Sequence, residues 1–173
     1  MKQLPRIRLR ALEPEDLDVL YGIENDHSLW SVGATNVPYS RYVLHDYIAN
    51  TRSDIYADRQ LRLMIEDADA RVVGIIDLVN FDPRHLRAEV GVVISAPHRR
   101  LGYATAALQE LCRYASATLH LNQLYAVIDQ ENEAALSLFR QVGFTTENTL
   151  RNWLYSGSGY ADAVLLQTFF EKK

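Results

Sequence analysis

Pro97-His98-Arg99-Arg100-Leu101-Gly102-Tyr103-Ala104 stands between a β-branched stretch, Val90 to Ile94, and a stretch rich in Ala, Leu and Gln, Thr105 to Ala117. The pattern changes there from strand to helix, so the run opens a helix. First-turn amides have no partner inside a helix and its N-terminal end is positive, so a pyrophosphate fits at such a place. Gly102 lets a backbone come close, and Arg99 and Arg100 add positive charge. A surface turn with solvated arginines would use the same residues, and the run by itself leaves the two readings open.

Before the run, Leu61 to Glu66, Val72 to Val79 and Arg87 to Ile94 read as three successive strands. They are joined by Asp67-Ala68-Asp69-Ala70 and Phe81-Asp82-Pro83, which predicts an antiparallel meander. Further upstream, Ile7 to Arg10 reads as a short strand. Glu13-Pro14-Glu15-Asp16 then supplies the proline and acidic first turn of a helix carrying Leu17, Leu20 and Tyr21. Between Asn25 and Ser40 a loop holds Trp30, Gly33, Asn36, Pro38 and Tyr39; its aromatics suit the wall of a pocket, and a helix-like stretch, Arg41 to Tyr56, follows. After the run, Gln123 to Ile128 reads as a strand, and Glu133 to Val142 as a helix stopped by Gly143. A final β pair, Thr145 to Tyr155 and Ala161 to Phe169, is joined by Ser156-Gly157-Ser158-Gly159. The sequence shows no repeat and no linker.

With 173 residues, 48% of them hydrophobic, the chain buries one sizeable core, and residues 1–173 are expected to form one domain. A net charge of −4 argues against broad nucleic-acid binding and modestly favours a cationic partner. Cys112 stands alone, which rules out an internal disulfide and suits a reducing compartment. No window approaches the roughly 20 apolar residues of a membrane span, so no membrane partner and a cytoplasmic location are expected. No metal site is expected.

Arg99, Gly102 and Ala104 match the acyl-CoA loop of the GCN5-related N-acetyltransferases, whose pattern is Gln or Arg, two residues, Gly, one residue, then Gly or Ala. A second glycine of that family is replaced by Arg100. The resemblance runs from end to end. Leu9-Arg10-Ala11-Leu12-Glu13-Pro14-Glu15-Asp16-Leu17 resembles the family's opening strand and helix, Val73-Gly74-Ile75-Ile76 its third strand, and Arg87-Ala88-Glu89-Val90-Gly91 its fourth. Asn132 through Ala135, Leu138, Gly143 and Phe144 resemble the helix beside the cofactor thiol, and Gly159-Tyr160-Ala161-Asp162 the closing hairpin. Within the family the chain resembles the spermidine and diamine N-acetyltransferases, and next the ribosomal-protein N-terminal acetyltransferases.

The resemblance implies an α/β (α+β) fold with a mixed, mostly antiparallel twisted sheet flanked by helices and splayed between the fourth and fifth strands. It implies acetyl-CoA as cosubstrate, a small amine as acceptor, and a homo-oligomer as an allowed assembly. Val92, Val93 and Ile94 would offer free strand amides to the pantetheine arm. Arg99, Arg100, Leu101, Gly102, Tyr103, Ala104 and Thr105 would hold the pyrophosphate. Asn132 either contacts the arm or serves as an ordinary helix N-cap. At Phe139 many relatives carry a tyrosine that protonates the leaving thiolate; phenylalanine has no hydroxyl to donate, leaving that role to water or to Tyr103 or Tyr125.

An alkyl amine of pKa near 10.4 must lose a proton before it attacks, at about 4 kcal/mol at neutral pH. Glu89 is the leading general-base candidate, against the alternative of a solvated or salt-bridged strand glutamate. His27 and His85 have better-matched intrinsic pKa values but fall on predicted loops. Tyr160 and Asp162 either shape the acceptor site or hold their own turn. Carboxylates for a polyamine come from Glu24, Asp26 and Asp46. Gly33-Ala34-Thr35-Asn36 lacks the acidic residues of the spermidine enzymes, and Trp30 and Tyr39 offer ring faces to a cation. The leading expectation is acetyl transfer to a polyamine or diamine. The alternatives are acetylation of a protein N-terminus and a non-catalytic acyl-CoA-binding domain.

Overall fold

Alternation at period two decides which way the central strands face. In β2 (Leu61–Glu66), β3 (Val72–Asp82) and β4 (Arg87–Ile94), Leu61, Ile65, Ile76, Leu78, Ala88 and Val90 lie in one large core. The intervening Met64 and Ile75 lie in a second core on the opposite face. The computed structural model describes residues 3–29 and 37–170, apart from the side chains of Thr146 and Glu147. With β1 (Arg8–Ala11), β5 (Gln123–Asp129), β6 (Thr145–Tyr155) and β7 (Tyr160–Phe169), the strands form one seven-stranded sheet in the order β1-β2-β3-β4-β5-β7-β6.

β2 to β4 pair as the expected antiparallel meander, β1 pairs antiparallel with β2, and β5, β7 and β6 are likewise antiparallel. The single parallel seam joins β4 to β5 and pairs only Arg87–Glu89 with Gln123–Tyr125. Beyond Glu89 the two strands part, as the family resemblance implied. β3 and β4 approach tightly above this seam: a Cβ on Gly74 would lie 2.2 Å from the Val93 carbonyl oxygen, so only glycine fits.

The helices cover the two faces. α4 (Tyr103–Ala117) buries Ala107, Leu108, Leu111 and Ala115, and α5 (Glu133–Gln141) buries Leu136 and Phe139, against the larger core. That spacing of three and four is the stripe an amphipathic helix needs. α1 (Leu17–Glu24) and α2 (Arg41–Asn50) place Leu20, Leu44 and Ile48 against Met64 and Ile75 on the other face. Arg10 ties β1 to this side: it donates to Asp16 at 2.6 and 2.8 Å and to Glu66 at 2.5 Å. Burial alone would raise the Asp16 pKa, but the Arg10 guanidinium and the Glu13 amide outweigh it and hold the carboxyl below its usual range.

The helix-like stretch from Arg41 to Tyr56 is two elements. α2 ends at Asn50, Ser53 takes a left-handed φ of 52°, and a short α3 (Ile55–Asp58) follows. Local side chains compete with the helix here: Asp58 accepts from the Arg52 amide at 2.9 Å and Asp54 caps the Tyr56 amide at 2.9 Å. Of the predicted aromatic loop, Pro38 and Tyr39 are described; Trp30, Gly33, Ala34, Thr35 and Asn36 lie outside the described residues. No described helix is long and apolar enough to cross a membrane.

Candidate active site

Where β4 leaves β5, a cleft of about 680 Å³ opens through the sheet. That volume suits a small-molecule site, for which about 300–1,000 Å³ is usual. β4 supplies Glu89, Val92 and Val93 to its wall, α4 supplies Ala104, and α5 supplies Phe139 with its N-cap Asn132. Because β4 pairs with β5 only as far as Glu89, the backbone edge from Val90 to Ile94 faces the gap with peptide groups to offer a ligand. Ile94 itself is buried and its side chain belongs to the core.

The loop below the cleft leads to the start of α4. Arg99 donates from Nε to the Ile94 carbonyl at 2.9 Å, which ties the loop to the end of β4. Arg100 is exposed with a left-handed φ of 61°, and Leu101 is exposed. Gly102 is the N-cap, with φ of 91°. The first backbone bond of the helix runs from the Ala106 amide to the Gly102 carbonyl at 3.0 Å. The amides of Tyr103, Ala104 and Thr105 therefore precede the ladder, at the positive end of the dipole. The Thr105 side chain is buried, so this residue contributes through its backbone. Tyr103 packs edge-on to His98, with ring centroids 6.1 Å apart.

At Gly102 the open side of the backbone faces the N-terminal segment. A Cβ at that position would meet Pro5 at 3.1 Å and Leu4 at 3.3 Å, so the space left by the missing side chain is filled by the N-terminal segment. The glycine answers to the left-handed backbone and to that contact.

The chemistry-bearing side chains sit on the α1/α2 face of the sheet. Glu89 is half-buried, lines the cleft and accepts from Asn80 Nδ2 at 2.8 Å. Arg62 crosses the floor: Nε and Nη2 donate to the two oxygens of Asp77 at 2.9 and 2.8 Å, and Nη1 donates to Glu24 at 2.6 Å. The Arg62 guanidinium also lies 5.7 Å from the centre of the Tyr47 ring. Burial alone would favour the neutral form of Arg62, but Asp77 and Glu24 outweigh it and keep its pKa above the ordinary value. Burial pushes the Tyr47 hydroxyl up. Asp129, at the end of β5, also lines the cleft. Among the described residues, four carboxylates (Glu24, Asp77, Glu89 and Asp129) thus share this wall with one guanidinium.

Of the three carboxylates picked out in the sequence, only Glu24 is in the cleft. Asp26, half-buried after α1, accepts from Ser28, and Asp46, exposed on α2, accepts from Asn50; neither lines the cleft. Asp77, Asp129 and Arg62 went unnoticed; the available signal was a lone aspartate inside the otherwise apolar run Val72-Val73-Gly74-Ile75-Ile76-Asp77-Leu78-Val79. His27 and His85 are exposed and lie outside the cleft wall. Neither Tyr103 nor Tyr125 is among the described residues lining it. Burial, and then the nearby Glu89 charge, raise the Tyr125 pKa. Phe139 does line the cleft, its ring edge-on to Phe144 at 5.0 Å. Asn132 accepts from the Ala135 amide at 3.1 Å as an N-cap, and it also borders the cleft. Asp162 holds its own hairpin, accepting from the Asn152 amide at 2.8 Å and from Arg151 at 3.1 Å. Tyr160 is exposed and packs against Tyr155, while Leu154 of the same hairpin reaches the cleft.

Residues 6–145 match the family model described as an acetyltransferase (GNAT) domain. The chain is 29% identical over 167 residues to a spermidine N(1)-acetyltransferase of Escherichia coli K12, covering 94% of this chain and 86% of that protein. It is 26% identical over 157 residues to a spermidine N(1)-acetyltransferase of Vibrio cholerae, covering 91% and 89%. Among solved structures, a dodecameric spermidine N-acetyltransferase from Vibrio cholerae superposes with a TM-score of 0.79 at 26% identity, covering 94% of this chain and 93% of that one. A complex of the Vibrio enzyme with CoA and spermine superposes with a TM-score of 0.83 at 24% identity, over 94% and 95%, a likeness of fold.

Proposed function

The chain belongs to the GNAT acetyltransferases, and from that premise we propose that it moves the acetyl group of acetyl-CoA to a primary amine of a small polycationic acceptor, a polyamine or diamine. The observation that carries the choice of acceptor is the cleft wall with four carboxylates and one guanidinium. Such a wall favours a cation and disfavours an anionic or plain apolar acceptor. The spermidine enzymes among the relatives support the same choice.

In this reading the whole chain acts as one catalytic domain. The β4 edge at Val92, Val93 and Ile94 holds the pantetheine arm by backbone contacts. The loop and first turn, Arg99 to Thr105, receive the pyrophosphate on amides and arginine charge. Glu89, steadied by Asn80, takes the ammonium proton directly or through one water. The freed amine forms its bond to the acetyl carbon as the carbon–sulfur bond breaks, and polarisation of the carbonyl by the strand amides lowers the barrier. Phe139 shapes the thiol end without donating a proton; with Tyr103 and Tyr125 outside the wall, the second proton, which the nitrogen loses as the amide forms, passes through water to the thiolate, while Glu89 gives up the first to solvent. The chain works as a homo-oligomer, a proposal supported by the dodecameric Vibrio relative. It is supported too by the exposed aromatics Trp153, Tyr155 and Tyr160 on the β6–β7 hairpin.

The test is release of free CoA from acetyl-CoA with spermidine, spermine, alkyl diamines, aminoglycosides or N-terminal peptides. Release that depends on a polyamine or diamine is expected. Release only with peptides, or with no amine at all, overturns the proposal.

A further inference from the structure

Resting on the amine-acetylation reading, we infer that Asp77, pinned by Arg62, is the seat for the acceptor's second ammonium and fixes the length of acceptor that the enzyme prefers. The register supplies the ruler. Asp77 of β3 stands opposite Gly91 of β4, and Val79 stands opposite Glu89. Asp77 and Glu89 are therefore diagonal neighbours on one face, with Cβ atoms about 7 Å apart. Both line the same cleft.

The two carboxylates differ in what holds them. Glu89 has a neutral partner, Asn80, and stays available for a proton. Asp77 receives two hydrogen bonds from Arg62, which fix its plane. A carboxylate accepts about four, so capacity remains for an ammonium. Arg62 does not repel the incoming cation outright, because Glu24 takes its third contact and leaves the Glu24–Arg62–Asp77 group with a net negative charge. Gly91, between them on β4, has no side chain to block a methylene chain lying along the floor. An extended chain gains about 1.2 Å per bond, so about four or five methylenes span the distance between the reacting nitrogen at Glu89 and an ammonium at Asp77.

The experiment compares kcat/KM for butylamine, propane-1,3-diamine, butane-1,4-diamine, pentane-1,5-diamine and hexane-1,6-diamine, with acetyl-CoA saturating. Alongside it runs equilibrium binding of butylamine and butane-1,4-diamine to the CoA-loaded protein. The wild-type protein is expected to prefer the four- and five-carbon diamines over butylamine by about tenfold or more, mostly in KM. In Asp77→Asn that ratio should fall at least about fivefold, and in Asp77→Glu the optimum should move by one methylene. A flat length profile in the wild-type protein, or an unchanged ratio in Asp77→Asn, overturns the inference while leaving amine acetylation standing. Absence of turnover with every amine overturns the proposed function instead, and the binding comparison then decides the role of Asp77.

Discussion

In the proposed reaction Glu89 and Phe139 stand at opposite ends of one chemical step, and their surroundings in the cleft differ. Glu89 is half-buried in the cleft wall with an amide donor at 2.8 Å, an arrangement that orients a carboxylate without pairing its charge. A general base of this kind contributes about 10²–10⁴-fold. Glu89→Gln is therefore expected to lower kcat by about 100-fold with little change in acetyl-CoA affinity, read by steady-state kinetics beside a CoA titration. A kcat within about twofold of wild type would remove Glu89 from the proton path. Phe139 is buried edge-on to Phe144. Its aromatic body was legible in the sequence as part of the site, and so was the missing hydroxyl. Asp77 and Arg62 were not legible. A charged residue in a strand is usually read as solvent-facing, and only the cross-strand register shows that Arg62 and Asp77 are partners.

Among the elements, the connection between β4 and α4 carries most of the account. The run Pro97-His98-Arg99-Arg100-Leu101-Gly102-Tyr103-Ala104 leads from strand into helix as its pattern predicts, because a strand pattern, a glycine and a helix pattern agree locally. The packing of Gly102 against the N-terminal segment was not legible. The contact with Leu4 and Pro5 joins positions far apart in sequence, and no local pattern announces it. Gly102→Ala must hold a left-handed φ with a side chain and push against Pro5, at a cost of about 1–2 kcal/mol. The urea midpoint should fall accordingly, and CoA affinity should weaken as the first turn shifts. An unchanged midpoint would mean that the N-terminal segment gives way freely. The break between α2 and α3 escaped notice for a similar reason: the side chains of Asp54 and Asp58 cap the backbone there, although the apolar spacing runs on.

At the scale of the molecule, the proposed function rests on the place where two neighbouring strands of the sheet part. Five of the six neighbouring-strand relations are antiparallel; the sixth, the parallel seam of β4 with β5, lasts three residue pairs and then opens. The order of elements along the chain was readable, since each strand and helix has its own period. The seam was not, because it depends on how α4 carries the chain over the sheet, and it entered the sequence reading only through family resemblance. The central claim is that this opened edge and the adjoining helix start together hold the cosubstrate. Hydrogen–deuterium exchange with and without acetyl-CoA tests it directly. The account predicts slower exchange at residues 90–94 and 99–105 on adding acetyl-CoA, with the β6–β7 hairpin tip unaffected; unchanged exchange in both segments, or protection confined to other parts of the chain, would contradict it.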